Sequence, residues 1–307
     1  MGVTILYEGQ PMDEEPDVCQ YTDNADGRCD TLLLGFYDSN DRLKGLSLKK
    51  GAEVQALHVG IDTGAMYVSE IRRAGRMVSI KALSTRPGLK AASSASWDRV
   101  SFYELITSVA RETGLEVKLL NPIDAQYETV TRINQPPVQF LQSRLALEGF
   151  CCKVRDNAII IYNERIQEKK AYIQQLKDGD FDGSPEYETN DASLAAACVN
   201  SYETAEGALI RTRIESGLPG RILSENIVVS TIGESERYCR GILRQANKYE
   251  YTASGEILGG NYEAGQTVYL ADAPDGHAGL NYLYRVTSNF ILDVQTLDMR
   301  RPIQGDY

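Results

Sequence analysis

Apolar and polar positions alternate with a period of two through most of the first eighty residues, the signature of half-buried strands. Met1 to Tyr7 reads as an opening strand. Thr31-Leu32-Leu33-Leu34-Gly35-Phe36 is a short apolar run that follows a polar loop around Asn24-Ala25-Asp26-Gly27. Residues 51–59, 66–71 and 77–82 repeat the alternation, separated by turns at Gly60 to Gly64 and at Ala74-Gly75. Several short strands with glycine-rich turns predict a small barrel or sandwich. The stretch 84–96, with Pro87-Gly88 and its serines, reads as a linker.

At Ser101 the period changes. Ser101-Phe102-Tyr103-Glu104 has the form of a capping box, and Phe102, Leu105, Ile106, Val109 and Ala110 make one helical stripe. Gly114 suits the left-handed position that ends such a helix. A strand over 115–119 follows. Pro136-Pro137 then opens a second helix with Leu141 and Leu145 on one face, closed by Gly149. Residues 150–154 and 158–162 predict a hairpin about Arg155-Asp156-Asn157. Beyond it come a charged helix over 164–177, an acidic turn over 178–183, helices at 202–214 and 234–247, the latter with a capping box at Thr231-Ile232-Gly233-Glu234, and strands at 266–270, 281–287 and 290–299. The fold class is α+β, with modules at 1–90 (β), 91–165 (α+β), 166–190 (helical and acidic linker) and 191–307 (β with helices).

Composition narrows the function. The 307 residues carry 32 Lys+Arg against 43 Asp+Glu, a formal net charge of -11. Nucleic-acid binding draws most of its affinity from cations laid against phosphates, so direct nucleic-acid binding is disfavoured. No apolar run approaches the roughly 20 residues of a membrane span, and the N-terminus lacks the basic and apolar regions of a signal peptide. The six cysteines show no C-x-x-C pair and read as scattered thiols, with a Cys19–Cys29 bridge as the alternative.

Candidate chemistry is sparse. Asp178-x-Asp180-x-Asp182-Gly183 opens like a calcium loop, but its twelfth position is Thr189 where a bidentate Glu is needed. Only His58 and His277 could serve as imidazole bases, and neither lies in a nucleophile or metal motif. No phosphate-binding glycine loop occurs. The sequence therefore offers no catalytic, cofactor or metal site. Trp97 reads as a packing anchor. The 18 tyrosines against 6 phenylalanines suit surfaces half buried against other subunits.

Several phrases, in their order, carry a resemblance: Asp62-Thr63-Gly64-Ala65-Met66-Tyr67-Val68-Ser69-Glu70; Ser96-Trp97; Phe140-Leu141 through Leu145 to Phe150; Lys153 to Glu164; Ala264-Gly265-Gln266-Thr267-Val268; and Tyr284-Arg285-Val286-Thr287. Together they resemble the baseplate hub proteins of contractile phage tails and phage-tail-like bacteriocins, the late control D and XkdQ-like family. The resemblance runs from about Thr31 onward and covers less of the acidic, cysteine-containing loop read at Pro11 to Cys29. It implies two tube-like β-barrel modules flanking the α+β insert, and a homotrimer that adapts a six-fold tail tube to a three-fold central spike. The tail tube protein, the spike protein and the tape-measure protein are the implied partners. The implied place is the tail baseplate, assembled in the bacterial cytoplasm. The strands expected to meet between subunits hold Val54, Ala56, His58, Tyr67, Val68, Val268, Tyr269, Tyr284 and Arg285. The alternative reading is a tail-associated cell-wall hydrolase with catalytic carboxylates that no motif singles out.

Overall fold

The computed structural model describes residues 2–37, 48–87, 91–204, 207–305 and 307. Strands dominate it. In the first module they are β1 (Thr4–Tyr7), β2 (Gln10–Pro11), β3 (Val18–Asn24), β4 (Thr31–Tyr37), β5 (Glu53–His58), β6 (Ile61–Asp62), β7 (Met66–Ala74) and β8 (Met77–Leu83). The predicted alternation decides which side of each strand is inside. Leu32, Leu34 and Phe36 of β4 pack with Val78, Ile80 and Ala82 of β8 and with Val54 and Ala56 of β5. Within the span taken for an acidic loop, residues 18–24 instead form β3. Its Cys19 and Tyr21 enter the same core, so burial overrides the polar look of the segment.

The insert follows as β9 (Ser93–Ser101), α1 (Phe102–Thr113), β10 (Glu116–Leu119), β11 (Gln126–Gln135), α2 (Pro137–Leu147), β12 (Phe150–Arg155) and β13 (Ala158–Asn163). The capping box forms as the sequence predicts: Glu104 N donates to Ser101 Oγ at 3.2 Å and Ser101 N to Glu104 Oε2 at 3.0 Å. Gly114 closes α1 in the left-handed region. The β12–β13 hairpin turns on Asp156 and Asn157, both at positive φ. The linker expected over 84–96 is cut short by β9, which pairs with β11; its residues 88–90 lie outside the described ones. Trp97 is an anchor inside the insert, stacked on Phe140 with centroids 5.6 Å apart and donating to Ser108 Oγ at 2.9 Å.

The last third holds α3 (Glu164–Glu168), β14 (Gln174–Leu176), β15 (Glu186–Thr189), β16 (Ala195–Glu203), β17 (Leu209–Glu215), β18 (Arg221–Glu225), α4 (Ile232–Asn247), β19 (Tyr251–Leu258), β20 (Thr267–Leu270), β21 (Gly279–Asn289) and β22 (Val294–Arg300). Two helix expectations fail here. The charged stretch 164–177 is helical only to Glu168, and β14 then pairs with β20. The expected helix over 202–214 is the end of β16 and the strand β17. Gly207 sits at φ 82 and breaks any helix, and the alternating Ile210, Thr212 and Ile214 suit a strand. The α4 helix does start on its expected cap, with Glu234 N donating to Thr231 Oγ1 at 3.1 Å.

One long sheet joins the first and last modules in the order β15-β19-β22-β21-β3-β4-β8-β7-β5-β1-β2, with β14-β20 beside β21. Among the described residues this path runs open from edge to edge. The insert sheet β10-β13-β12 and the ribbon β9-β11 carry their own core. Another core forms where α4 covers the sheet β17-β16-β18.

Candidate assembly surface

The long sheet uses one strand plan twice. Written by pairing, the first module is β3-β4-β8-β7-β5-β1 and the last is β15-β19-β22-β21-β20-β14. Aligned by sequence order, β1, β3, β4, β5, β7 and β8 correspond to β14, β15, β19, β20, β21 and β22. Local details follow. The β7–β8 ladder slips between Val68 and Glu70, and the β21–β22 ladder slips between Leu283 and Arg285. Gly51 N donates to Val68 O at 2.8 Å, and Gly265 N to Leu283 O at 2.8 Å. Val68 N returns to Ala52 O at 2.9 Å, and Leu283 N to Gln266 O at 2.9 Å. Both glycines sit at positive φ, 84° and 99°, which is why glycine stands at each. One difference is directional: β1 runs antiparallel to β5, whereas β14 runs parallel to β20.

The two copies of the plan meet at a seam. The far half of β21, residues 285–289, pairs antiparallel with β3, Thr287 opposite Thr22. The seam is reinforced from the insert. Asp23 accepts from Lys153 Nζ of β12, and its second oxygen accepts from Ala264 N at 3.0 Å. First module, insert and last module thus meet on one carboxylate. Next to it, Asp30 accepts from Asn24 N at 2.9 Å and from Tyr21 OH at 3.1 Å.

Burial pushes the Asp30 carboxyl up to about 7, with Asp23 adding to the rise and Lys153 opposing it. A carboxyl whose folded pKa is raised binds more protons folded than unfolded. Its ionisation therefore withdraws stability as pH climbs from about 4 through about 7. We expect the urea midpoint of the wild-type chain to fall across that window and the Asp30→Asn variant to lose that component. Equal slopes in the two proteins would show that Asp30 ionises without resistance.

A second joint is wholly buried. Glu164 and Glu168 of α3 meet Arg244 and Lys248 at the end of α4 and Arg300 of β22. Glu164 lies 3.0 Å from Arg244 Nε, 3.0 Å from Arg300 Nη2 and 3.3 Å from Lys248 Nζ. Glu168 takes Arg244 Nη2 at 2.5 Å and also pairs with Arg300. Burial alone would raise the Glu164 carboxyl, but Lys248, Arg300 and Arg244 outweigh it and hold it well below its ordinary value.

The 43 kDa tail protein of prophage MuSo2 from Shewanella oneidensis is similar along 100% of both chains, with TM-score 0.78 and 12% identity. The tail protein from Neisseria meningitidis MC58 matches over 98% of this chain and 97% of that one, with TM-score 0.74 and 11% identity. The chain has the fold of a phage tail protein. The same fold extends to c3393, a type VI secretion component of E. coli similar to the T4 bacteriophage tail proteins gp27 and gp5. It matches over 97% of this chain and 76% of that one, with TM-score 0.58 and 11% identity. No protein-family model and no curated protein matches the sequence.

Within this tail-protein fold the residues expected between subunits divide in two. Val54, Ala56, Val68 and Val268 are buried in the chain's own cores. Their side chains are already committed, and only their strands could face a neighbour. Tyr67 is buried beneath the Arg86 guanidinium, 5.1 Å above its ring. His58 stacks on Phe290 at 5.2 Å with Nε2 3.2 Å from Asp293. Tyr269 stays 39% exposed beside Tyr172, and Tyr284 packs edge-on against Tyr249 at 5.2 Å. Arg285 lies on the sheet face, its Nε 2.7 Å from Asp298.

The acidic turn uses its oxygens internally. Asp180 accepts from Lys177 N at 2.8 Å and Asp178 from Tyr187 OH at 2.7 Å. Among the described residues no group of three His, Cys, Asp or Glu is placed to hold a metal ion. Cys19 lies in the first core while Cys29 sits 3.6 Å from Thr85 Oγ1, so the two do not form a bridge. Sequence reasoning missed β15, whose four residues Glu-Tyr-Glu-Thr are too short and too polar to stand out. It also stopped β7 at residue 71, short of its end at Ala74. Both are strand edges, and edges are fixed by pairing partners rather than by side-chain pattern.

Proposed function

We propose that the chain is a structural baseplate hub that trimerises and adapts a six-fold tail tube to a three-fold central spike. The twice-used strand plan carries this reading. Each chain presents two modules of one plan, so three chains present six similar modules around an axis. One side of such a ring can meet six-fold subunits while its true three-fold symmetry meets a spike. In the ring the two modules complete tube-like barrel walls, and the insert and α4 brace them from outside. The buried joints at Asp23 and Glu164 fit a part that must keep its shape under axial load.

An end surface is also available. Val59, Leu258, Ile291 and Leu292 are exposed. They gather where His58 meets Asp293 and Leu258 pairs with Val294. Apolar side chains grouped at loop tips suit contact with a stacked ring. Tube, spike and tape-measure proteins are the proposed partners in a tail baseplate, with assembly in the bacterial cytoplasm.

Native mass spectrometry of the chain, alone and co-expressed with neighbouring tube and spike proteins, tests the reading. A complex holding three copies of the chain is the expected result. A monomer in every mixture, with no partner retained, would overturn it.

A further inference from the structure

The seam inside one chain is a template for the seam between two. Each module has one edge of the β3 kind and one of the far-β21 kind. Within a chain the first module contributes β3 and the last contributes residues 285–289 of β21. The complementary pair is left over. Past Tyr67, β7 has lost β5, and among the described residues no strand lies on that edge along 70–74. Likewise, among the described residues, β15 pairs with β19 alone. These two bare edges are the counterparts of the two that already meet.

We infer that β15 of one chain pairs antiparallel with residues 70–74 of β7 in a second copy, in the register of the internal seam. The correspondence fixes that register. Through the ladders, Thr287, Ser288 and Asn289 correspond to Arg72, Arg73 and Ala74, and Thr22, Tyr21 and Gln20 to Glu188, Tyr187 and Glu186. Thr287 stands opposite Thr22, with hydroxyls 3.4 Å apart. Arg72 therefore stands opposite Glu188 of the second copy, with that copy's Glu186 on the adjoining diagonal. All three side chains are exposed in the single chain. Opposite charges directly across a ladder favour pairing, and a one-residue slip would send them to opposite faces.

The inference rests on the trimeric reading and sharpens it. The internal contact is head-to-tail, and its repetition between chains makes a heterologous ring rather than a two-fold dimer. It also covers two strand edges that would otherwise invite uncontrolled association.

Cysteines placed across the proposed seam test it. A chain carrying Arg72→Cys and Glu188→Cys, purified with whichever tube and spike proteins hold three copies together, should oxidise to a covalent trimer on a non-reducing gel. The pair Arg73→Cys and Glu188→Cys points to opposite faces and should not cross-link. In parallel, Arg72→Glu should weaken the three-copy complex at least about tenfold, and adding Glu188→Arg should restore it. A three-copy complex that gives no Arg72–Glu188 cross-link and ignores the charge reversal would overturn the seam while leaving the hub reading intact. Failure to find three copies in any mixture would overturn both.

Discussion

Replacing Glu164 with Gln should lower the unfolding free energy by about 3–5 kcal/mol, the loss expected when one partner leaves a buried ion cluster. The cluster holds two carboxylates and three cations. Glu164→Gln leaves Glu168 alone against Arg244, Lys248 and Arg300, all buried. Arg300→Met should cost much less, because it leaves two carboxylates facing two cations and keeps similar side-chain volume. Urea unfolding of the two variants checks the order, and equal losses would refute the charge-count argument. The pH dependence has a definite sign. A carboxyl whose folded pKa is depressed contributes stability present above its unfolded value, near 4.5, and lost as pH falls through the lowered folded value. Wild type should therefore lose stability below about pH 4.5, and Glu164→Gln should lose less over the same range.

Gly241→Ala should destabilise the chain by about 1–3 kcal/mol, although the same change in an open helix is stabilising. The glycine lies within α4 where it crosses the end of α2. A Cβ built there would sit 2.3 Å from Leu147 O and 2.5 Å from Ala146 O, both backbone atoms that cannot swing aside. The clash would pry α4 from α2 and disturb the nearby contact of Arg237 Nε with Glu148, 2.8 Å in the wild type. Gly233, in the first turn of the same helix, meets nothing within 4 Å. Gly233→Ala should be neutral or add about 0.5 kcal/mol. Thermal unfolding of both variants tests the contrast, and a stabilising Gly241→Ala would mean that the helices are not held at this distance.

Strong local signals were legible in the chain. The capped helix α1, the β12–β13 hairpin and the start of α4 follow from Ser101 and Glu104, from Asp156-Asn157, and from Thr231 with Glu234. In each, the deciding interaction spans four residues or fewer. The strands β5, β7 and β8 of the first module followed from alternation, because one of their faces is buried. The expected helix over 202–214 failed because its apolar spacing also suits a strand, and Gly207 at positive φ interrupts the span. The placement of β17 beside β16 decided between them.

The candidate surface was less legible. The resemblance named strands, but Val54, Ala56, Val68 and Val268 on them lie in the chain's own cores, since a residue's strand is written in the sequence and its neighbours across the sheet are not. The doubled plan is invisible to residue comparison. At matching positions Glu70 and Lys81 stand where Arg285 and Asp298 do, with the charges reversed, and Leu83 stands where Arg300 does. What repeats is the pairing order, the bulge and the glycine turn, which are backbone properties.

The sequence by itself determined the periodicities, the caps and turns, and the lack of a motif for catalysis, because each rests on contacts between near neighbours. Only the tertiary structure decided that β3 meets β21 across more than 260 positions, that five buried charges share one site, and which strand edges are left bare among the described residues. Those depend on backbone hydrogen bonds and on charges brought together from distant segments, and a one-dimensional pattern carries no record of who stands beside whom.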